Sequence, residues 1–281
     1  MKRIVLSFLL ILVISQIKAQ PLAQRLDSLL SNDPMLRTSE VGITVFDLTT
    51  GESLFQYQDE KLYRPASTEK VVTSVTALAT LGLDYTMDTR LQYTGKIEND
   101  TLKGNLYLVG GFDPEFMDED LDSLVDVIAQ SGIRYIADTL AADVSMMDSV
   151  YWGNGWSWDD VPDSFQPYMS PLMLNRGCVD VTVIPAEKDS LPIIECVPAS
   201  DYYQVDNDGV SNNPQAGNLR ITRNWLHNGN LIHVSGNVSK KTTRTLSIYT
   251  SKDFFFHTFI NRLKEKGIEA KAAQSSLEDS S

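Results

Sequence analysis

Pro65-Ala66-Ser67-Thr68-Glu69-Lys70 runs directly into Val71-Val72-Thr73-Ser74-Val75-Thr76-Ala77-Leu78. A polar, proline-led start before an apolar run reads as a helix N-terminus. The periodicity predicts a helix from Ser67 to near Gly82, with Val71, Val75, Leu78 and Ala79 as its core stripe. Ser67 and Lys70 stand three residues apart, which puts them on one face, one turn apart. A serine hydroxyl is a poor nucleophile at its own pKa and needs an adjacent base. An ammonium becomes that base only where burial or neighbouring cations lower its pKa. Ser-x-x-Lys at the start of a buried helix is therefore the least that histidine-free acyl transfer requires. The same letters also fit an N-cap serine followed by a solvated lysine. The pattern recurs at Ser15 to Lys18, so the surroundings must decide.

Those surroundings begin with Lys2 and Arg3, an apolar stretch over residues 4–14, and Ile17-Lys18-Ala19 as a cleavage site before Gln20. This is the pattern of a secretory signal peptide over residues 1–19, too short in its apolar part to cross a bilayer. No later run is long and apolar enough to do so, and no cysteine follows the cut to carry a lipid. The mature protein is expected to be exported, to a periplasm or an equivalent compartment. Cleavage moves the formal charge from −13 to −16, with 21 basic against 37 acidic residues. Such a surface repels nucleic acid and anionic membranes.

Cys178 and Cys196 are the only cysteines. Each flanks a strand-like run, residues 179–184 and 191–195, with a turn-like segment between. A hairpin would set the cysteines roughly opposite each other, leaving a cross-strand disulfide and two buried thiols as the alternatives. No cysteine or histidine spacing typical of a metal site occurs.

Residues 20–38 read as a short amphipathic helix with Leu22, Leu26, Leu29 and Leu30 on one face. Two alternating runs around Thr49-Thr50-Gly51-Glu52 read as a β-hairpin. From about Tyr85 short strand runs dominate, at residues 90–94, 105–109, 218–222 and 231–235, with a helix-like piece at 118–131. A second clear amphipathic helix covers 253–266, with Phe255, Phe259, Ile260 and Leu263 apolar and Gly267 as its stop. The polar tail after Ala270 is expected to fray.

Four stretches together resemble a known family. They are Pro65-Ala-Ser-Thr-Glu-Lys70, Gly104-Asn-Leu-Tyr-Leu-Val-Gly-Gly-Phe-Asp-Pro114, Gly155-Trp-Ser-Trp-Asp-Asp160 and Ser170-Pro-Leu-Met-Leu-Asn175. In this order they are similar to the low-molecular-mass penicillin-binding proteins of the D-alanyl-D-alanine carboxypeptidase/endopeptidase type, peptidase family S13. The resemblance runs from about residue 22 to 270. It implies an α/β fold: a transpeptidase/β-lactamase-like domain over 20–87, a β-rich insertion over 88–244, and a return to the catalytic domain over 245–281. It also implies that Ser67 attacks the carbonyl between two D-alanines of a peptidoglycan stem peptide, and that Lys70 takes the serine proton. In the family an aspartate matching Asp160 and an aromatic matching Phe165 approach the active site, the aspartate recognising a diaminopimelate amino group. β-Lactams would be inhibitors, and neither metal nor organic cofactor is implied. Trp156, Trp158 and Phe165 near Asp159 and Asp160 read as an aromatic-walled site with acidic groups; the alternative is that both tryptophans are core or interface residues and Asp160 a cap or turn residue.

The sequence departs from the family in one respect. Its Ser-x-Asn and Lys-Thr-Gly motifs belong beyond the helix ending near Gly267, and the sequence stops at Ser281. Ser211-Asn212-Asn213 and Lys241-Thr242-Thr243 are look-alikes, read as surface-loop and strand-end residues. The expectation is thus a truncated product with an incomplete transpeptidase-like domain, catalytically silent as it stands. Two other readings are a non-catalytic peptidoglycan-binding protein and an exported serine hydrolase using His227, His233 or His257. The last lacks a Gly-x-Ser-x-Gly elbow.

Overall fold

The computed structural model describes residues 20–274. The expected signal peptide and the residues after Gln274 lie outside them. The chain divides into two compact units, Met1–Tyr85 and Thr86–Ser281.

The smaller unit opens with two helices where one was expected. Pro34 disfavours a helical backbone at Asp33, so α1 (Leu22–Asn32) ends there and α2 (Pro34–Thr38) begins. The Asp33 carboxylate caps α2, accepting from the Met35 and Leu36 N–H groups at 2.8 and 3.1 Å. The hairpin follows as β1 (Ile43–Asp47) and β2 (Glu52–Tyr57), paired antiparallel. In its turn the Asp47 carboxylate accepts from the Thr49 and Thr50 N–H groups. These bonds hold its pKa below the usual carboxylate range. A 3₁₀ turn, Ala66–Thr68, leads into α3 (Glu69–Leu81). The helix is where the periodicity put it, but it buries none of its residues. Val71, Val75 and Leu78, expected as a core stripe, are exposed. Within the unit α1 packs on α2 and β2, and the buried apolar side chains among its described residues are Leu30 and Phe55.

Among the described residues the larger unit holds three sheets and two α-helices. Short strands β3 (Arg90–Tyr93), β4 (Lys96–Glu98), β5 (Thr101–Lys103) and β6 (Leu106–Val109) precede α4 (Asp118–Gln130) and the long β7 (Tyr135–Asp143). Then come β8 (Cys178–Ile184), β9 (Ile193–Val197), β10 (Gln204–Ser211), β11 (Arg220–Arg223), β12 (Leu231–Val238) and β13 (Thr242–Ser247). Helix α5 (Ser251–Glu265) and β14 (Glu269–Gln274) complete the described chain. β7 is the spine of the first sheet, with β5, β6 and β14 all parallel to it. β8 lies between β9 and β13, both antiparallel. β12 lies between parallel β10 and antiparallel β11. One apolar core joins the layers, including Leu106, Leu140, Val181, Ile232, Phe255 and Phe259.

Residues 245–274 pack in the larger unit, which begins at Thr86. Phe254, Phe255 and Phe259 of α5 are wholly buried in its core. The tail after Ala270 does not fray within the described residues: β14 pairs with β7 as far as Gln274 opposite Ala141, which satisfies main-chain groups on that side of β7. The two cysteines are free. Cys196 faces Val181 across the β8–β9 pair, whereas Cys178 faces Ser247 on β13. The three-residue offset along β8 is about 10 Å, beyond the reach of a disulfide. Burial pushes the Cys178 thiol up to about 12.

Candidate active site

Ser67 sits in the 3₁₀ turn that opens α3, and Lys70 is on the first turn of that helix. The Lys70 Nζ donates to the Ser67 Oγ at 3.1 Å. The turn is closed by the Thr68 N–H donating to the Pro65 carbonyl at 3.1 Å, and the Thr68 hydroxyl donates to the same oxygen. Ala66, just before the serine, has φ of +46°. A non-glycine residue in the left-handed region costs roughly 1–2 kcal/mol, a cost found preferentially at functional turns. The Ser67 and Lys70 side chains are exposed.

Asp160 and Phe165 lie in the larger unit, five residues apart on one loop. Asp160 ends a 3₁₀ turn, Trp158–Asp160, and its carbonyl accepts from the Asp163 N–H at 3.0 Å. The loop is fastened to β13 by the Ser247 N–H donating to the Pro162 carbonyl at 2.8 Å. An ion pair between Arg244 and Asp163, also at 2.8 Å, adds to this. Phe165 is 71% exposed. The structure therefore brings Ser67 and Lys70 into contact in one unit and sets Asp160 and Phe165 on a shared loop of the other.

The expected aromatic wall of Trp156, Trp158 and Phe165 is built differently. Trp156 packs edge-on to Trp152, ring centroids 5.4 Å apart. Trp158 stacks on Trp225 at 5.1 Å, and Trp152 also meets Tyr168 at 5.3 Å. Between these pairs lies a cavity of about 350 Å³, reaching Leu226 and Asn228. Trp225 and Tyr168 were not anticipated. One available signal was that the chain has only four tryptophans, three of them within seven residues. Behind the cavity Arg223 is 1% exposed. Its Nε donates to the Ser247 carbonyl and its Nη1 to the Gly229 carbonyl, each at 2.8 Å. Its guanidinium carbon lies 6.0 Å from the Tyr168 ring centroid. Burial pulls its pKa below the ordinary arginine range.

The look-alike motifs have local structural work. Ser211 was read as a surface-loop residue, but it is fully buried, its Oγ accepting from the Ala186 N–H at 3.0 Å. Thr243 bonds across the sheet to Thr182 at 2.8 Å. His233 pairs with Asp206 on the neighbouring strand, and His257 with Asp201.

The profile of the D-Ala-D-Ala carboxypeptidase 3 (S13) family matches residues 22–278. The chain belongs to that family. A D-alanyl-D-alanine carboxypeptidase of Actinomadura sp. (strain R39) is 27% identical over 259 residues, covering 89% of this chain and 48% of the relative. D-alanyl-D-alanine carboxypeptidase DacB of Haemophilus influenzae is 30% identical over 168 residues, covering 59% and 35%. The S13 chain thus spans about half the length, or less, of these curated relatives. The crystal structure of penicillin binding protein 4 from Haemophilus influenzae matches with a TM-score of 0.73 at 24% identity, over 90% of this chain and 56% of that one. A second structure of that protein, complexed with a β-lactam, matches with a TM-score of 0.63 at 22% identity over 89% and 53%. The S13 chain therefore has the mixed α/β, transpeptidase-like fold of the penicillin-binding proteins. No helix among the described residues is long and apolar enough to cross a membrane.

Proposed function

We propose that this S13 chain carries the nucleophile of a serine-type D-Ala-D-Ala carboxypeptidase acting on peptidoglycan stem peptides outside the cytoplasm, with residues 1–19 as its export signal. The observation that carries the reading is the Lys70 Nζ to Ser67 Oγ contact at the start of α3. In the reaction the Lys70 amine takes the proton of the Ser67 hydroxyl while Oγ adds to the carbonyl carbon of the penultimate D-alanine. The Ser67 N–H, at a helix start, is oriented to donate to the resulting oxyanion. Collapse breaks the peptide bond, and the departing D-alanine amine takes the proton back from Lys70. Water then hydrolyses the acyl-enzyme, with no metal or organic cofactor in any step. β-Lactams would acylate Ser67 by the same route.

The test is to treat envelope proteins of the source organism with a fluorescent penicillin, digest, and map the label. The expected result is label on the peptide that contains Ser67. Label confined to another peptide would refute the assignment. A second reading is a non-catalytic peptidoglycan-binding protein, favoured by the exposure of Lys70 and of the α3 stripe in this chain. Under that reading the protein stays unlabelled in the same extract in which other penicillin-binding proteins label.

Asp160 and Phe165 are assigned the cationic side chain of the stem peptide, a carboxylate and an exposed ring on one loop suiting an ammonium group. Asp160→Asn is expected to slow cleavage of diaminopimelate-containing peptides roughly 10- to 100-fold, the worth of one charge-assisted hydrogen bond. Penicillin acylation, which presents no such ammonium, should stay within about threefold. Equal losses on both substrates would assign Asp160 a structural role instead.

A further inference from the structure

The cleft between the Trp158–Trp225 and Trp152–Tyr168 pairs is distinct in chemistry from the Asp160 and Phe165 site. We propose that it binds an N-acetylated hexopyranose of the glycan to which stem peptides are attached; the choice of glycan rests on the reading above. The volume, about 350 Å³, falls in the range of ordinary small-ligand pockets. Trp158 is 65% exposed and Leu226 is exposed beside it, so large apolar faces stand in water at the mouth. Faces of that kind call for a ligand with its own apolar face.

Charge selects among such ligands. Among the described residues no charged side chain lines the cleft. One face of Tyr168 is already turned to the buried Arg223 guanidinium. A cationic ligand would have to share that ring with a like charge in a poorly screened setting, which excludes an ammonium group here and separates this site from that of Asp160. A wholly apolar ligand would cover Asn228 and leave its amide N–H unpaired. The Asn228 Oδ1 accepts from the Tyr168 hydroxyl at 3.3 Å, so its Nδ2 is directed to other acceptors. A pyranose meets both demands. Its axial C–H face stacks on the indoles, and an acetamido carbonyl accepts from Asn228 while its methyl meets Leu226.

The wall is also held in place before a ligand arrives. Trp225, Leu226 and His227 form a single 3₁₀ turn. The Gly229 carbonyl beyond it is held by Arg223, and the Gly229 N–H donates to the Asn224 carbonyl at 2.9 Å. The Tyr249 N–H donates to the Asn230 Oδ1 at 3.0 Å. A fixed wall lowers the ordering cost of binding.

All four tryptophans of the chain lie in this cluster, so intrinsic fluorescence reads it without labels. Titrating the purified chain with tri-N-acetylchitotriose should give a saturable change in tryptophan emission, whereas maltotriose, which lacks the acetamido groups, gives none at equal concentration. By equilibrium dialysis, Trp225→Ala and Asn228→Ala should each weaken chitotriose binding at least tenfold. Asn228 is exposed, so its replacement keeps the test valid if the tryptophan variant does not fold. No saturable change with chitotriose, binding by Asn228→Ala within twofold of the parent, or an equal response to maltotriose would each overturn the proposal. Neither measurement depends on acyl transfer. A null result here leaves the Ser67 assignment standing, and a failure to label Ser67 leaves this site standing.

Discussion

Replacing Lys70 with alanine is expected to slow acylation of Ser67 by roughly three to four orders of magnitude, the upper part of what a positioned general base contributes. The 3.1 Å Nζ–Oγ contact puts the Lys70 amine within reach of the hydroxyl. Alanine removes the base without disturbing packing, because α3 buries none of its side chains. The informative companion is Lys70→Arg. A guanidinium keeps the charge and can still donate to Oγ, but it does not give up its proton in a protein. If Lys70 acts as base, arginine fails as badly as alanine. If it acts only as a cation that orients the hydroxyl, arginine retains most of the rate. The measurement is the first-order rate of penicillin labelling of the source organism's protein, mapped to the Ser67 peptide. Arginine within tenfold of the parent would remove Lys70 from the proton-transfer step.

Proximity in sequence decided which features could be read before the fold was known. Ser67 and Lys70 share a helix turn, so their spacing alone dictates contact. Helix α5 was legible because its phenylalanines recur at helical period, and the Thr250 side chain, accepting from the Asp253 N–H, sets its start. The spine of the first sheet was not. β7 reads Tyr-Ile-Ala-Asp-Thr-Leu-Ala-Ala-Asp, with Ala141 and Ala142 fully buried. A strand covered closely by neighbours carries little alternation and few of the branched residues that mark strands. The α3 stripe shows the opposite error. Its period states that one face is apolar, not that anything in the unit covers it. The cysteines failed on register, a quantity that a turn of unknown geometry leaves open. The Trp158–Trp225 pair joins residues 67 positions apart, and no local pattern encodes it.

Gly111→Ala is expected to destabilise the larger unit by about 3 kcal/mol, toward the severe end for a single methyl group. Gly110 and Gly111 belong to the Gly104–Pro114 motif, which leaves β6 and turns beneath the Ser170–Asn175 motif. The Phe112 N–H donates to the Pro171 carbonyl at 3.0 Å, and the Asn175 N–H to the Phe116 carbonyl at 3.0 Å. The two motifs are thus one backbone junction. A Cβ on Gly111 would stand 2.1 Å from the Asp88 carbonyl oxygen and 2.6 Å from its carbon. Both are backbone atoms and neither can swing aside, so the strand or the turn must move. Gly132 provides the control. Its φ is +84° and a Cβ there meets nothing within 4 Å, so alanine costs only the left-handed backbone, roughly 1–2 kcal/mol. The four tryptophans lie in the larger unit, and their emission follows its melting. For a unit of this size, about 3 kcal/mol lowers the midpoint by roughly 6–12 °C. A midpoint for Gly111→Ala no lower than that of Gly132→Ala would mean that the junction has slack, and that the glycines of this motif serve something other than close backbone approach.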